Sequence, residues 1–361
     1  MTELPKRPGR EYEYDLMRAV AALAVVMIHT CALRWQALDV QSADWLVLTL
    51  WDVPCKFCVP IFFMISGRFN LDPARQNDPR ALFTRKIPRL LLAFLFWSCV
   101  YTAVNVVRTD DLAEDWKWIV IKFFTGEYHM WFLFAIVGLY LATPLLRPIA
   151  ADEKKCRYFL LLWLVFQLLL PALAKLPRIG VFITTALDKM KLFYPLGFTG
   201  YYLLGWYWKE HMLTRRKRLA CYLIGLVGTV FSTAAVVYAS RTAGSADETL
   251  AEYLTWNVAA QSAAVYLLLQ RLGRRIRTEK PGAALLSALS RYSFGIYLAH
   301  PLFLWLVAWL GLDPLGIPPV LGVPVVTAAA VLLSLGLSWL LRKIPKLGPI
   351  IKLYPKKWTR K

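Results

Sequence analysis

Residues 15–35 read DLMRAVAALAVVMIHTCALRW, the first of a series of long apolar segments in this chain. A helix needs about 20 mostly apolar residues to cross the hydrocarbon core of a bilayer. Of the 361 residues, 58% are hydrophobic and only 18% are charged, whereas a soluble globular chain has about 45–50% apolar and about 25% charged residues. The composition therefore indicates an integral membrane protein, and it excludes a soluble two-domain enzyme, a disordered chain and a disulfide scaffold.

We interpret the chain as ten such segments. Open strands cannot cross lipid, because their backbone groups would be left without partners, so the segments are predicted to be helices. Their bounds are about 15–35, 43–67, 87–107, 130–148, 157–176, 195–210, 219–240, 253–271, 286–310 and 319–341. The predicted fold class is an all-α polytopic membrane protein, a bundle of about ten transmembrane helices. A cytoplasmic N-terminus over 1–14 and a basic cytoplasmic tail over 342–361 flank one membrane domain over 15–341.

The basic residues alternate between the two sides of this predicted bundle. Most of the 43 Lys and Arg residues fall in the tail and in every second loop, and the formal net charge is +20. The positive-inside rule then places both termini in the cytoplasm. This placement explains the charge without nucleic acid, because anionic membrane lipids are the ordinary partners of such loops. The first segment is longer than the core of a signal peptide and is expected to remain as the first helix.

Neither the six cysteines nor the loop over 108–128 provides a candidate catalytic or metal-binding group. Cys55 and Cys58 are spaced i, i+3 on one helix, and no second Cys/His pair completes a metal set, so no metal site is predicted. The loop ends in an apolar, aromatic run that includes Trp116 and Phe124. It is interpreted either as an interfacial amphipathic segment or as a plain connector.

Ionisable residues inside predicted spans mark candidate functional sites, because lipid offers them no partner. Asp52 and Lys56 are spaced i, i+4 with the acid first, the favourable order for an ion pair. They either form a structural pair or line a cavity. Arg18 and His29 are harder to explain as structure alone.

Arg18 and His29 lie on the first predicted helix, separated by 11 positions. That spacing corresponds to about 16 Å along a helix and to an angular offset of only about 20°. Both side chains therefore project from nearly the same helix face, with a fixed cation near the cytoplasmic surface and an imidazole deeper in the membrane. Taken alone, such a histidine is either a hydrogen-bonding core residue or a catalytic group.

Five motifs in order along the chain resemble the acyltransferase type 3 family of integral membrane acyltransferases. They are Tyr14-Asp15-Leu16-Met17-Arg18 through Ile28-His29-Thr30, Val59-Pro60-Ile61-Phe62-Phe63-Met64-Ile65-Ser66-Gly67, Arg85-Lys86-Ile87-Pro88-Arg89, His129-Met130-Trp131-Phe132-Leu133 with Tyr140 and Pro144, and Tyr292-Ser293-Phe294-Gly295-Ile296-Tyr297-Leu298-Ala299-His300-Pro301. The first reproduces the family's Arg-x10-His pattern. The third departs from it, because the family often has paired arginines where this chain has Arg85 and Lys86.

The resemblance implies transfer of an acyl group, usually acetyl, from cytoplasmic acyl-CoA to a hydroxyl of a cell-surface glycan or a lipid-linked glycan precursor. Acyl-CoA (acetyl-CoA) is then the donor co-substrate, no metal is needed, and the location is the bacterial plasma membrane. The partners are the donor, the glycan acceptor and membrane lipids, and a homo-oligomer remains open. A polytopic transporter or flippase for a glycan precursor is the main alternative, and a scaffold or sensor subunit is a further one.

On this resemblance, the basic group of the third motif, Arg85, Lys86 and Arg89, is expected to bind the phosphates of the donor, with Arg18 nearby. Ser66 is expected either to contribute to the donor site or to permit close helix packing.

The acyl-transfer chemistry is assigned to His29 and Arg18 as catalytic residues. His29 is expected to act either as general base or through a covalent acyl-imidazole. Four residues are expected to contact the acceptor or the developing oxyanion: His129, Trp131, Tyr297 and His300. His129 either contacts the acceptor or caps the outer end of its helix, and Trp131 either stacks on a sugar ring or anchors its helix at the membrane interface.

Overall fold

The structure is a computed structural model that describes residues 11–72, 79–108, 116–276 and 281–344. Throughout these ranges the regular structure is helical and no strand is present, which confirms the all-α fold class. Residues 1–10 of the predicted N-terminus and 345–361 of the predicted tail lie outside the described residues.

Sixteen α-helical stretches follow one another along the described chain. They are α1 (Tyr12–Trp35), α2 (Ala43–Asp52), α3 (Cys58–Asn70), α4 (Pro79–Ala81), α5 (Ile87–Arg108), α6 (Trp116–Thr125), α7 (Trp131–Ala151), α8 (Glu153–Leu162), α9 (Leu170–Leu173), α10 (Gly180–Met190), α11 (Phe193–Leu196), α12 (Thr199–Glu210), α13 (Arg215–Ala243), α14 (Trp256–Gly273), α15 (Pro281–Trp309) and α16 (Pro319–Lys343).

Each of the ten predicted segments is helical. Within the described ranges, eight helical stretches are long and apolar enough to cross a membrane, so the protein is a multi-pass membrane protein. The other two predicted segments correspond to α12, which has 12 residues, and to α14, which has 18 residues but carries buried Asn257, Gln261 and Gln270. The count of ten spans and the cytoplasmic termini remain predictions.

Several segments contain local irregularities that place side chains. The second segment is broken by a 3₁₀ turn over Val53–Cys55, where Pro54 removes a backbone donor. A π-helical turn over Leu82–Lys86 precedes α5 and carries two of the predicted donor-binding residues. Such turns are often found at functional sites, because the extra residue re-aims the neighbouring side chains.

The first helix lies at the centre of the bundle. It packs against α15, α14, α3 and α16, and its alanines Ala21, Ala22 and Ala24 are buried, so neighbouring helices approach it closely. Helices α3 and α12 approach even more closely. A Cβ on Gly67 would lie 1.8 Å from the Tyr202 carbonyl oxygen, and a Cβ on Gly205 would lie 2.0 Å from that of Met64. These glycines permit backbone-to-backbone packing, one of the two roles expected of the Ser66-Gly67 pair.

Candidate active site

Three of the protein's four histidines meet inside the bundle, and we name His29, His129 and His300 the histidine cluster. Their ring centroids are 4.9 Å apart for His29 and His300, 5.2 Å for His129 and His300, and 6.4 Å for His29 and His129. The rings come from α1, from a 3₁₀ turn over Tyr128–Met130 and from α15. The tertiary fold therefore joins three residues that are far apart in the chain.

The three rings differ in exposure. His129 is 2% exposed and His300 is 0% exposed, whereas His29 is only half-buried. His29 is therefore the cluster member that a substrate can reach, and the other two lie behind it. The Tyr128 ring, which the sequence analysis did not select, is 5.1 Å from that of His29 and also borders the approach.

The buried rings have unsatisfied polar atoms. Both ring nitrogens of His129 and the Nε2 atom of His300 have no hydrogen-bond partner among the described residues. Buried polar groups in native proteins are nearly always paired, and an unpaired one calls for an explanation such as a catalytic role. The cluster therefore has spare hydrogen-bonding capacity beside a reachable imidazole.

The other two residues expected to contact the acceptor lie close to this cluster. The Tyr297 hydroxyl donates to the backbone carbonyl of His129 over 2.5 Å, so it fastens the 3₁₀ turn to α15. Trp131 is 37% exposed, and its ring lies 5.6 Å from Phe198 and 5.8 Å from Tyr253 at interplanar angles of 31° and 32°. Phe198 and Tyr253 were not selected from the sequence.

Arg18 lies nearer the beginning of α1, at what we name the basic end of the bundle, with Lys86, Arg89 and Arg147. Its guanidinium is half-buried, 3.5 Å from Asp15 and 5.1 Å from the centroid of the Phe69 ring. Because α1 is continuous from Tyr12 to Trp35, Arg18 and His29 are about 16 Å apart along it, as their spacing predicted.

Among the remaining residues of the basic end, Lys86 and Arg147 both contact Asn70. The Lys86 ammonium donates to the Asn70 side-chain oxygen, and Nε and Nη2 of Arg147 each donate to the Asn70 carbonyl over 3.1 Å. Arg89 is half-buried, while Arg85 is exposed. From the sequence, Arg147 is predicted only as a loop charge, whereas its position after the apolar run of α7 was the signal for a cation at a helix end.

A second polar group at this end is fully paired, and we name Glu11, Tyr14, Arg68, Asp72 and Lys209 the basic-end network. Arg68 is 4% exposed and donates to the Tyr14 hydroxyl over 3.0 Å, to Asp72 over 3.0 Å and to Glu11 over 2.8 Å. Lys209 lies 3.3 Å from the same Asp72 oxygen. With every guanidinium nitrogen engaged, Arg68 serves as a structural tie between α1 and α3.

The predicted pair of Asp52 and Lys56 is present, with 3.1 Å between the charged atoms. Both side chains are buried, and Lys56 also contacts Glu248 over 2.5 Å. Glu248 comes from the loop before α14, so this ion pair fastens that loop to the bundle close to Tyr253. A buried lysine with two carboxylate partners holds the loop in place, since removing either partner would leave a buried charge unpaired.

The described ranges contain no group of three His, Cys, Asp or Glu side chains placed to hold a metal ion, and this includes the histidine cluster. Imidazole side chains can transfer protons and form hydrogen bonds, and this is the chemistry that the cluster offers.

The protein is a polytopic helical bundle, and three histidines meet inside it, of which His29 is the most exposed. The comparison with family models places this protein: the acyltransferase type 3 model, described as "Acyltransferase domain", matches residues 11–343. The chain belongs to this family, as the five motifs predicted, and it is a membrane acyltransferase. Neither the curated proteins nor the solved structures include a match to it.

Proposed function

We propose that this membrane acyltransferase transfers an acetyl group from cytoplasmic acetyl-CoA to a hydroxyl of a cell-surface glycan or a lipid-linked glycan precursor. The supporting observation is the half-buried His29 of the histidine cluster, on the same helix as Arg18 of the basic end. One helix thus connects a site suited to the anionic part of the donor with a site suited to the reaction. The cell is bacterial, and the membrane is the plasma membrane.

The donor is proposed to bind with its nucleotide at the basic end. CoA carries a diphosphate and a 3′-phosphate, and guanidinium and ammonium groups bind such anions strongly. Lys86 and Arg147 offer these groups beside Asn70, and Arg89 follows near the beginning of α5. The Arg18 guanidinium lies 5.1 Å from the centroid of the ring of Phe69, the residue before Asn70. The pantetheine arm is long, thin and uncharged, and its length is of the order of the ~16 Å from Arg18 to His29. The thioester then reaches His29 while the nucleotide stays at the cytoplasmic surface.

His29 acts as general base in this proposal. It takes the proton of the acceptor hydroxyl as that oxygen forms a bond to the thioester carbonyl carbon. The carbon–sulfur bond breaks, and the proton passes from His29 to the departing CoA sulfur. A covalent acyl-imidazole route uses the same side chain, and acid quenching with radiolabelled donor separates the two, because only that route leaves label on the protein.

The acceptor is proposed to approach past Trp131. Aromatic rings bind the apolar faces of sugars, and the partly exposed Trp131 is supported by Phe198 and Tyr253 next to the 3₁₀ turn that carries His129. His129, whose ring lies 5.6 Å from that of Tyr128, then forms hydrogen bonds with the sugar hydroxyls.

The proposal is tested with His29→Ala and a matched control, His211→Ala, in the full-length protein in native membranes. His211 is the fourth histidine, and it lies away from the cluster, 4.0 Å from Glu153. The measurement is transfer of label from [acetyl-14C]acetyl-CoA to glycan of the same membranes. We expect His29→Ala to lose at least about 100-fold in rate, the lower range for general acid–base catalysis, and His211→Ala to keep wild-type rate. Full activity in His29→Ala at equal protein level would refute the assignment.

A further inference from the structure

The carbonyl of Tyr297 is released from the hydrogen-bond ladder of α15 by a proline. Helix α15 runs from Pro281 to Trp309 and contains Pro301. In an α-helix the N–H of residue 301 would donate to the carbonyl of residue 297, but proline has no N–H. The Nδ1 atom of His300 lies 2.7 Å from that carbonyl oxygen and 3.3 Å from the carbonyl of Ile296.

This contact fixes the tautomer of His300. A carbonyl oxygen can only accept a hydrogen bond, so Nδ1 must carry the proton. In a neutral imidazole the other nitrogen, Nε2, then carries a lone pair and can only accept. His300 is 0% exposed, and nothing in the described part of the chain donates to its Nε2 atom. The protein therefore holds a buried acceptor of known orientation without a donor.

Among the ring contacts of His300, the one with His29 has the shortest centroid distance, 4.9 Å, followed by 5.2 Å for the one with His129. The groups that face His29 are Tyr128 and His129 from the 3₁₀ turn, His300 from α15 and, through its charge, Lys56. Of these four, His300 has an acceptor nitrogen whose protonation is set by backbone geometry. His129 lies further from His29, with 6.4 Å between the two ring centroids.

We infer that His300 is a positioning residue whose Nε2 accepts the ring N–H of His29 during the reaction. This leaves the other nitrogen of His29 with its lone pair toward the acceptor hydroxyl. It also stabilises the imidazolium that forms when His29 takes the proton, because a hydrogen bond from a charged donor is stronger than one from a neutral donor. His300 thus does for His29 what a buried carboxylate does for the histidine of a catalytic triad. The inference rests on the proposed function, since it assigns His29 the role of base.

The test compares His300→Leu and His300→Gln with the wild-type full-length protein in lipid nanodiscs. Leu removes both polar atoms, whereas the Gln side chain keeps one donor and one acceptor. The measurements are kcat, KM for acetyl-CoA and the pH dependence of kcat, with label transfer from [acetyl-14C]acetyl-CoA to isolated membrane glycan. Melting temperature is recorded for each variant.

We expect His300→Leu to lower kcat by about 10- to 100-fold, the range found when a partner that orients a metal-bound histidine is removed. KM for acetyl-CoA should stay within about twofold, because His300 does not face the basic end. The acidic limb of the pH profile should move to lower pH, because the imidazolium loses an acceptor. His300→Gln should recover most of kcat and return the acidic limb toward its wild-type position.

An unchanged pH profile and kcat in a folded His300→Leu would overturn the inference, as would a shift produced by His129→Phe but not by His300→Leu. If His300→Leu does not accumulate, His300→Gln decides alone, since a folded but inactive Gln variant would contradict the role. Failure of the proposed function would give a different result, namely full transfer activity in His29→Ala.

Discussion

The basic-end network and the histidine cluster are both buried groups of polar side chains that contact α1, but they differ in how fully they are paired. All three nitrogens of the Arg68 guanidinium donate to protein partners. In the histidine cluster, three buried ring nitrogens on His129 and His300 lack a partner among the residues that the structure describes.

This difference separates a structural role from a chemical one. A fully satisfied network in a low-dielectric interior rigidifies the fold, whereas an unsatisfied one is costly and persists where function requires it. The network therefore fixes how α1 and α3 meet, and we propose that the cluster keeps hydrogen-bonding groups available for a substrate. Substitutions in the network should therefore lower stability, whereas substitutions in the cluster should lower activity.

The largest effect on stability is expected from Arg68→Met. The change leaves Glu11 and Asp72 without their guanidinium partner, and breaking a buried ion pair from one side costs about 3–5 kcal/mol. The measurement is the free energy of unfolding, or the melting temperature, of the full-length protein in nanodiscs.

The matched control for this prediction is Arg157→Met. Arg157 is 67% exposed and lies 3.6 Å from Glu153, and an exposed pair contributes at most about 1 kcal/mol. Equal stability of the two variants would remove the distinction between the network and an ordinary surface pair. His29→Ala should leave the melting temperature near that of the wild type while activity is lost.

A smaller loss of stability is expected from Gly67→Ala, which tests whether the network depends on backbone packing. The added Cβ would meet the Tyr202 carbonyl at 1.8 Å, so a backbone must shift. Overpacking of this kind costs about 1–3 kcal/mol. The control is Gly138→Ala on α7, where the new Cβ meets no atom of the described chain within 4 Å. That variant should keep or slightly raise the melting temperature, because alanine favours helix more than glycine does.

The smallest effect concerns donor binding, and it compares Arg147→Ala with Arg85→Ala. Arg147 is half-buried beside Asn70, whereas Arg85 is exposed. Under the proposed function, Arg147→Ala should raise KM for acetyl-CoA about tenfold, or ~1.4 kcal/mol, and Arg85→Ala should stay within about twofold. A larger effect at Arg85 than at Arg147 would place the phosphates at the π-helical turn instead.

The overall fold could be predicted from the sequence because open strands cannot cross lipid, so long apolar segments must be helices. Apolar length alone identified helices at all ten segments, and helical periodicity placed Arg18 and His29 on one face of the continuous α1. Local departures were harder to predict, because the π-helical turn over Leu82–Lys86 depends on tertiary contacts and has no simple sequence signal.

The site could be predicted only in part. His29, His129 and His300 could each be selected, since polar residues are rare in spans, but their meeting requires the packing of α1 against α15 and the 3₁₀ turn. The Asp52 and Lys56 pair is local and was predictable, while its third partner, Glu248, is 192 residues from Lys56. Arg68 was treated as an ordinary charge at a helix end, because sequence spacing does not show which end charges are enclosed.

Helix α6 leads directly into the histidine cluster and has no buried residue along Trp116–Thr125, all of which the structure describes. The protein leaves its apolar and aromatic side chains uncovered, and we expect lipid to cover them. Only Gly126 and Glu127 separate it from Tyr128 and the turn that carries His129. We therefore expect the order of the surrounding lipids to affect the position of His129. In detergent micelles this position should differ from that in the native membrane.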